Sequence, residues 1–121
     1  MAKKILIIED EIILLEALKE KLTNIGYEVE AVYDGEAGLE IIKEKKPDLL
    51  VLDILLPGIN GYEVMERLKK ENISLPILVV SNSGQPVEIE KAKELGANDF
   101  IIKAAFSLEN IEEKVKKLIG K

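Results

Sequence analysis

Residues Leu49-Leu50-Val51-Leu52-Asp53-Ile54-Leu55-Leu56-Pro57-Gly58 join four uninterrupted apolar residues to a carboxylate and end in a Pro-Gly turn. A short apolar run bounded by turn signals reads as a strand covered on both faces, as in the middle of a parallel sheet. Residues 5–8 and 77–80 repeat the pattern. Residues 28–33 instead alternate, with Glu28-Val29-Glu30-Ala31-Val32, as suits an edge strand with one face partly wet. The full set of strand candidates is 4–9, 28–33, 49–53, 77–80 and 99–102.

Amphipathic segments fill the gaps between these strands. Leu14, Leu18, Leu22 and Ile25 recur at helical spacing, and Gly26 follows as a C-terminal cap. Asp34 caps a second helix that runs through Ile41 and Ile42 and stops before Pro47. A third helix spans about 61–71 with Val64 and Leu68 inward, and a fourth about 87–95 with Gly96 just beyond it. The last opens at Ser107 and carries Leu108, Ile111, Val115 and Leu118 on one face.

Five strand–helix units predict an α/β fold. Parallel strands need crossover helices, and those crossovers are right-handed. The expected architecture is a doubly wound five-stranded parallel sheet in the order 2-1-3-4-5, a flavodoxin-like three-layer sandwich. No linker, repeat or low-complexity tract divides the chain, so residues 1–121 read as a single domain.

Composition narrows the chemistry. The 121 residues are 47% apolar and 33% charged, enough apolar surface for a buried core. The net charge of −6 leaves no electrostatic footprint for nucleic acid or an anionic membrane. Without cysteine or histidine there is no disulfide, thiolate, imidazole base, Ser-His-Asp triad or His-ligated metal. Glu9-Asp10-Glu11 ends the first apolar run too early for a signal peptide, and no stretch approaches a membrane span. A cytoplasmic protein is expected, working with carboxylates, hydroxyls, lysines and backbone amides.

In such sheets ligands sit at the carboxyl ends of the strands, near the switch in strand order. Strand 1 ends in Glu9-Asp10, strand 3 in Asp53, strand 4 in Ser81 and strand 5 in Lys103. Singly, each has a plainer explanation: a helix cap, a turn residue, a solvated lysine. Together they put an acid cluster, a hydroxyl and an amine on one edge. Convergent carboxylates repel unless a cation joins them, and an all-oxygen donor set suits Mg²⁺. A carboxylate beside such a cation can attack phosphorus, and the hydroxyl and ammonium can neutralise the transferred oxygens.

Glu9-Asp10, the run from Asp53 to Gly61, the run from Pro76 to Ser81 and the run from Leu95 to Lys103 together resemble the receiver domain of two-component response regulators. Ser81 lies 28 residues after Asp53 and Lys103 lies 22 after Ser81, spacings usual in that family. The resemblance covers essentially the whole chain and is closest to the stand-alone, chemotaxis-regulator-like type. It implies that Asp53 is a phosphoacceptor served by a sensor histidine kinase or phosphotransfer protein. It further implies that Asp10, Asp53 and the main-chain carbonyl of Leu55 ligate Mg²⁺, with Glu9 acting through water. Ser81 and Lys103 would contact phosphoryl oxygens, the Asn82 backbone would reach the phosphate, and Phe100 would be the switch aromatic paired with Ser81. The readout face would run from helix 4 through strand 5 to helix 5 and meet a downstream protein target. Its mixed charges also permit a homodimer. Such a domain is not an enzyme beyond its own phosphotransfer and slow dephosphorylation.

Three departures from the family pattern carry expectations. Ala104 replaces the usual proline after the lysine, so a trans Lys103–Ala104 bond and a rebuilt loop are expected. Asn82 stands where a small residue is usual and can crowd the mouth. Leu55 and Ser83 occupy the positions two beyond Asp53 and Ser81, and Leu55 cannot orient a hydrolytic water. The same leucine disfavours a haloacid-dehalogenase-type phosphatase, which needs a second acid there. The acidic loop after strand 1 disfavours an FMN-binding flavodoxin. The alternative is a phosphorylation-independent interaction domain on the receiver fold.

Overall fold

The computed structural model describes residues 2–82, 84–105 and 107–120, so Ser83 and Phe106 lie outside the described residues. Strands β1 (Lys4–Ile8), β2 (Glu28–Val32), β3 (Leu49–Asp53), β4 (Ile77–Ser81) and β5 (Asp99–Ile102) alternate with helices α1 (Ile12–Ile25), α2 (Gly35–Lys45), α3 (Gly61–Lys70), α4 (Pro86–Glu94) and α5 (Leu108–Ile119). All four strand pairings are parallel, in the order β2-β1-β3-β4-β5. The expected α/β architecture is therefore the one observed.

Period-two alternation along the central strands builds both faces of the core. Leu6, Ile8, Leu50, Leu52 and Val79 point to one side, against Leu39 and Ile42 of α2, Val64, Met65 and Leu68 of α3, and Ala92 of α4. Ile5, Ile7, Leu49, Val51, Leu78 and Val80 point to the other, against Leu18 and Leu22 of α1 and Ile111 and Val115 of α5. Each fully buried Leu, Ile or Val contributes roughly 1.5–3 kcal/mol relative to exposure. A one-residue slip of a central strand would exchange its residues between two differently shaped cores, so side-chain packing holds the register. Strand β2 stays partly wet, as its alternating charges require.

Details differ from the sequence reading at element ends. Strands β1 and β2 each stop one residue early, and the Glu9 N–H donates to the Val32 carbonyl at 3.1 Å as the chain leaves the sheet. Strand β4 runs one residue further and includes Ser81. Helix α1 buries Leu15, Leu18 and Leu22, while Leu14 and Ile25 only flank the core. Helix α5 buries Ile111 and Val115 and leaves Leu108 at its exposed entrance. Gly26 and Gly96 follow α1 and α4 with φ of 121° and 113°, the left-handed backbone that ends a helix cheaply only at glycine. The described peptides are all trans, Lys103–Ala104 among them, and Lys103–Ala105 form a single 3₁₀ turn before the Ser107 cap of α5. No described helix is long and apolar enough to cross a membrane.

One contact ties the fold to the site. Asn60 caps α3 through a reciprocal pair with Glu63, and the Gly61 N–H donates to the Ile54 carbonyl at 2.8 Å. This draws the first turn of α3 onto the end of β3. A Cβ at Gly61 would strike the Asp53 carbonyl oxygen and lie 2.8 Å from Ile54 Cα, both backbone atoms that cannot rotate away. Gly61→Ala should therefore cost about 1–3 kcal/mol in urea unfolding, the range for forced overpacking. An unchanged midpoint would show that the β3–α3 junction yields freely.

Candidate functional site

The carboxyl edge of the sheet collects the chemistry. Glu9 and Asp10 follow β1, Asp53 closes β3, Ser81 closes β4, and Lys103 begins the 3₁₀ turn after β5. Carboxylate oxygens of Glu9, Asp10 and Asp53 lie within 4.8 Å of one another, with Glu9 and Asp53 buried and Asp10 exposed. The Lys103 ammonium, on a side chain only 8% exposed, reaches Asp53 Oδ2 at 3.1 Å, Glu9 at 3.1 Å and Glu11 Oε2 at 2.6 Å. A chain separation of 94 residues between Glu9 and Lys103 is closed by the β1-β3-β4-β5 order.

Ser81 is buried one register step beyond the level of Asp53, since Asp53 pairs with Val80 and Ser81 with Ile102. Asn82 follows it on the surface. The Leu55 N–H lies 3.4 Å from Asp53 Oδ1, and its side chain is 65% exposed at the mouth. Phe100 pairs with Val79 and packs, half-buried, against the core face that holds α2, α3 and α4. Gly84 comes so close to Ile102 that a Cβ would collide with its side chain, which brings the β4–α4 loop down beside β5.

Two contributors escaped the sequence reading. Glu11 contacts Lys103 directly; the signal available was a third acid after Glu9-Asp10, at a helix entrance where Ser, Thr, Asp or Asn would cap better. Gly61 positions the Asp53 backbone, and glycine after a cap residue carries no such signal by itself.

The electrostatics follow from burial. Burial pushes the Glu9 carboxyl up to about 7; the bond from the Glu11 N–H opposes this and the Asp53 charge adds to it. Burial also raises Asp53, against the pull of Lys103. For Lys103, burial disfavours the ammonium, but the Glu11 hydrogen bond and the charges of Asp53 and Glu9 outweigh it, leaving the group above the ordinary lysine value. Glu9, Asp10, Glu11 and Asp53 thus face one ammonium among the described residues. This oxygen-only donor set fits a hard divalent cation such as Mg²⁺, the ion that receiver domains bind at an acidic pocket.

The Glu9 shift makes a pH prediction for metal-free protein. An unfolded Glu releases its proton near 4.5, whereas folded Glu9 keeps it to about 7. Between these values the folded chain holds more protons, so this group's stabilisation is full at low pH and is lost as pH rises through 7. In EDTA, Glu9→Gln should flatten the fall in urea midpoint between about pH 4.5 and 7. Identical pH profiles for the two proteins would refute the assignment.

Comparison with known proteins bears on the fold and the family. Residues 5–116 match the family model of the response regulator receiver domain. The alkaline phosphatase synthesis transcriptional regulatory protein PhoP of Bacillus subtilis is 35% identical over 119 residues, covering 98% of this chain and 49% of PhoP. The transcriptional regulatory protein AfsQ1 of Streptomyces coelicolor is 37% identical over 99 residues, covering 82% of this chain and 44% of its own. The chain spans about half the length of the curated relatives it matches. A CheY-like receiver domain protein from Methanospirillum hungatei superposes with a TM-score of 0.89 at 28% identity, covering 97% of this chain and 93% of that one. Fold, family model and relatives converge, and the chain belongs to the response regulator receiver domain family.

Proposed function

We propose that the chain is a Mg²⁺-dependent phosphoacceptor switch in which Asp53 takes a phosphoryl group from the phosphohistidine of a partner kinase or phosphotransfer protein. The observation that carries this reading is the Lys103 ammonium 3.1 Å from a buried Asp53 carboxylate, beside two further acids that complete an oxygen cluster. In the step, an Asp53 oxygen attacks phosphorus, the donor's P–N bond breaks, and the leaving imidazole keeps the bonding pair. Asp10, Asp53 and the Leu55 carbonyl would hold the metal directly, with Glu9 acting through water. Bound there, the cation would offset the charge that carboxylates and phosphoryl oxygens accumulate. Lys103 and the Ser81 hydroxyl would take two of the phosphoryl oxygens, and the Asn82 backbone N–H a third. Ile12, Ile13 and Leu55, exposed around the mouth, offer the partner an apolar rim.

The readout is proposed on α4, β5 and α5. Helix α4 buries only Ala92, whereas α3 buries Gly61, Val64, Met65 and Leu68. Its ties include a Tyr62 hydroxyl 3.4 Å from the Glu88 carbonyl and the Lys91 ammonium 4.4 Å from the Tyr62 ring. A helix so lightly packed is the element a new charge at Asp53 can most readily displace. Ser81 moving toward the phosphate would leave room for half-buried Phe100 to turn inward. We assign residues 1–121 as one receiver unit, acting in the cytoplasm, that signals through a protein target or a second copy and is not an enzyme in the metabolic sense. The phosphorylation-independent alternative is not favoured, because it leaves the assembled cluster without a use.

Incubation with acetyl phosphate and Mg²⁺ should add one phosphoryl group to the intact mass. Neither Asp53→Ala nor the wild type in EDTA should gain it. No adduct on the wild type, while an authentic receiver labels in parallel, would overturn the reading in favour of the interaction domain.

Leu55 cannot orient an attacking water over the phosphoryl group. The phosphorylated protein should accordingly outlast a chase of minutes without a phosphatase, followed by intact mass. Decay within seconds would contradict this account.

A further inference from the structure

Lys103 has no spare donor. An ammonium offers three N–H groups, and Glu11, Asp53 and Glu9 take them all. The Glu11 contact is the shortest at 2.6 Å, within the range of charge-assisted bonds. Glu11 is also oddly employed for its position. It is the N-cap residue of α1, yet its side chain makes no capping bond and reaches across to the 3₁₀ turn instead. Its backbone is anchored, because its N–H donates to Glu9 Oε2 at 3.0 Å and its carbonyl accepts from Leu15 at 2.9 Å.

We infer that Glu11 is a positioning residue that restrains phosphoryl capture by holding the Lys103 ammonium, and that its carboxylate is the partner exchanged for a phosphoryl oxygen. The inference rests on the proposed phosphoacceptor role of Asp53. Phosphorylation turns Asp53 from a carboxylate into the acyl phosphate, so for Lys103 to turn to the phosphoryl oxygen the carboxylates that can yield are Glu9 and Glu11. Glu9 is buried, and a stranded buried carboxylate is strongly disfavoured. The Glu11 side chain is 54% exposed and rehydrates freely. Its charge at the mouth also repels an incoming phosphoryl dianion. Both effects act in the same direction, so loss of the carboxylate favours the phosphorylated form.

The test compares wild type, Glu11→Gln and Glu11→Ala by titration with beryllofluoride in Mg²⁺, followed through the Phe100 amide in ¹H–¹⁵N spectra. Glu11→Gln and Glu11→Ala should bind about two- to fivefold more tightly, the scale of a half-exposed ion pair. In metal-free buffer, the Lys103 ammonium protons should give a slowly exchanging signal in the wild type that broadens in both variants, which a role confined to helix stability would not produce. Equal or weaker beryllofluoride binding by folded variants, or an unchanged ammonium signal, overturns the inference and leaves the phosphoacceptor role standing. Failure of the wild type itself to bind beryllofluoride overturns both.

Discussion

The structure turns on like charges held together at the edge of an apolar sheet. Glu9 and Asp53 are almost fully enclosed, and burial raises both carboxyls. Such a pair is sustained only by a partner of opposite sign at hydrogen-bond distance, here the ammonium of Lys103. The lysine enters from β5, two strands away from β3 and three from β1. Strand order, register and both core faces must therefore be correct before the charges can meet.

The rest of the architecture serves that meeting unevenly. Near Asp53 the chain is held hard: an all-buried β3, a capping box at Asn60 and Glu63, and a glycine that lets α3 touch the strand end. Beyond Ser81 the packing thins, with a single fully buried residue in α4 and a half-buried aromatic on β5. A firmly held carboxylate beside a lightly held helix is the arrangement that the proposed charge-driven switch would use. The local event need only exceed a small packing energy.

Most of the fold could be read in the chain because its two periodicities are clean. Continuous apolar runs at 5–8, 49–52 and 77–80 mark strands covered on both faces, and alternation at 28–32 marks an edge. Leu15 was harder to place. Leu14 and Leu15 are adjacent, and only the docking angle of α1 decides which one faces the core. Element ends shifted by a residue where terminal hydrogen bonds, such as that from Glu9 to Val32, settle the boundary.

The sequence by itself determined which residues stand at the strand ends, since a parallel sheet delivers Glu9, Asp10, Asp53, Ser81 and Lys103 to one edge whatever the side chains then do. Tertiary structure decided how those groups share charge. Whether Lys103 is held by Glu9, Glu11 and Asp53 together depends on rotamers and burial set by contacts as far as 94 residues apart. The same holds for Gly61, whose missing Cβ matters only because α3 lands on the Asp53 carbonyl. Local pattern encodes direction and periodicity. Distances between elements come only from the packed core.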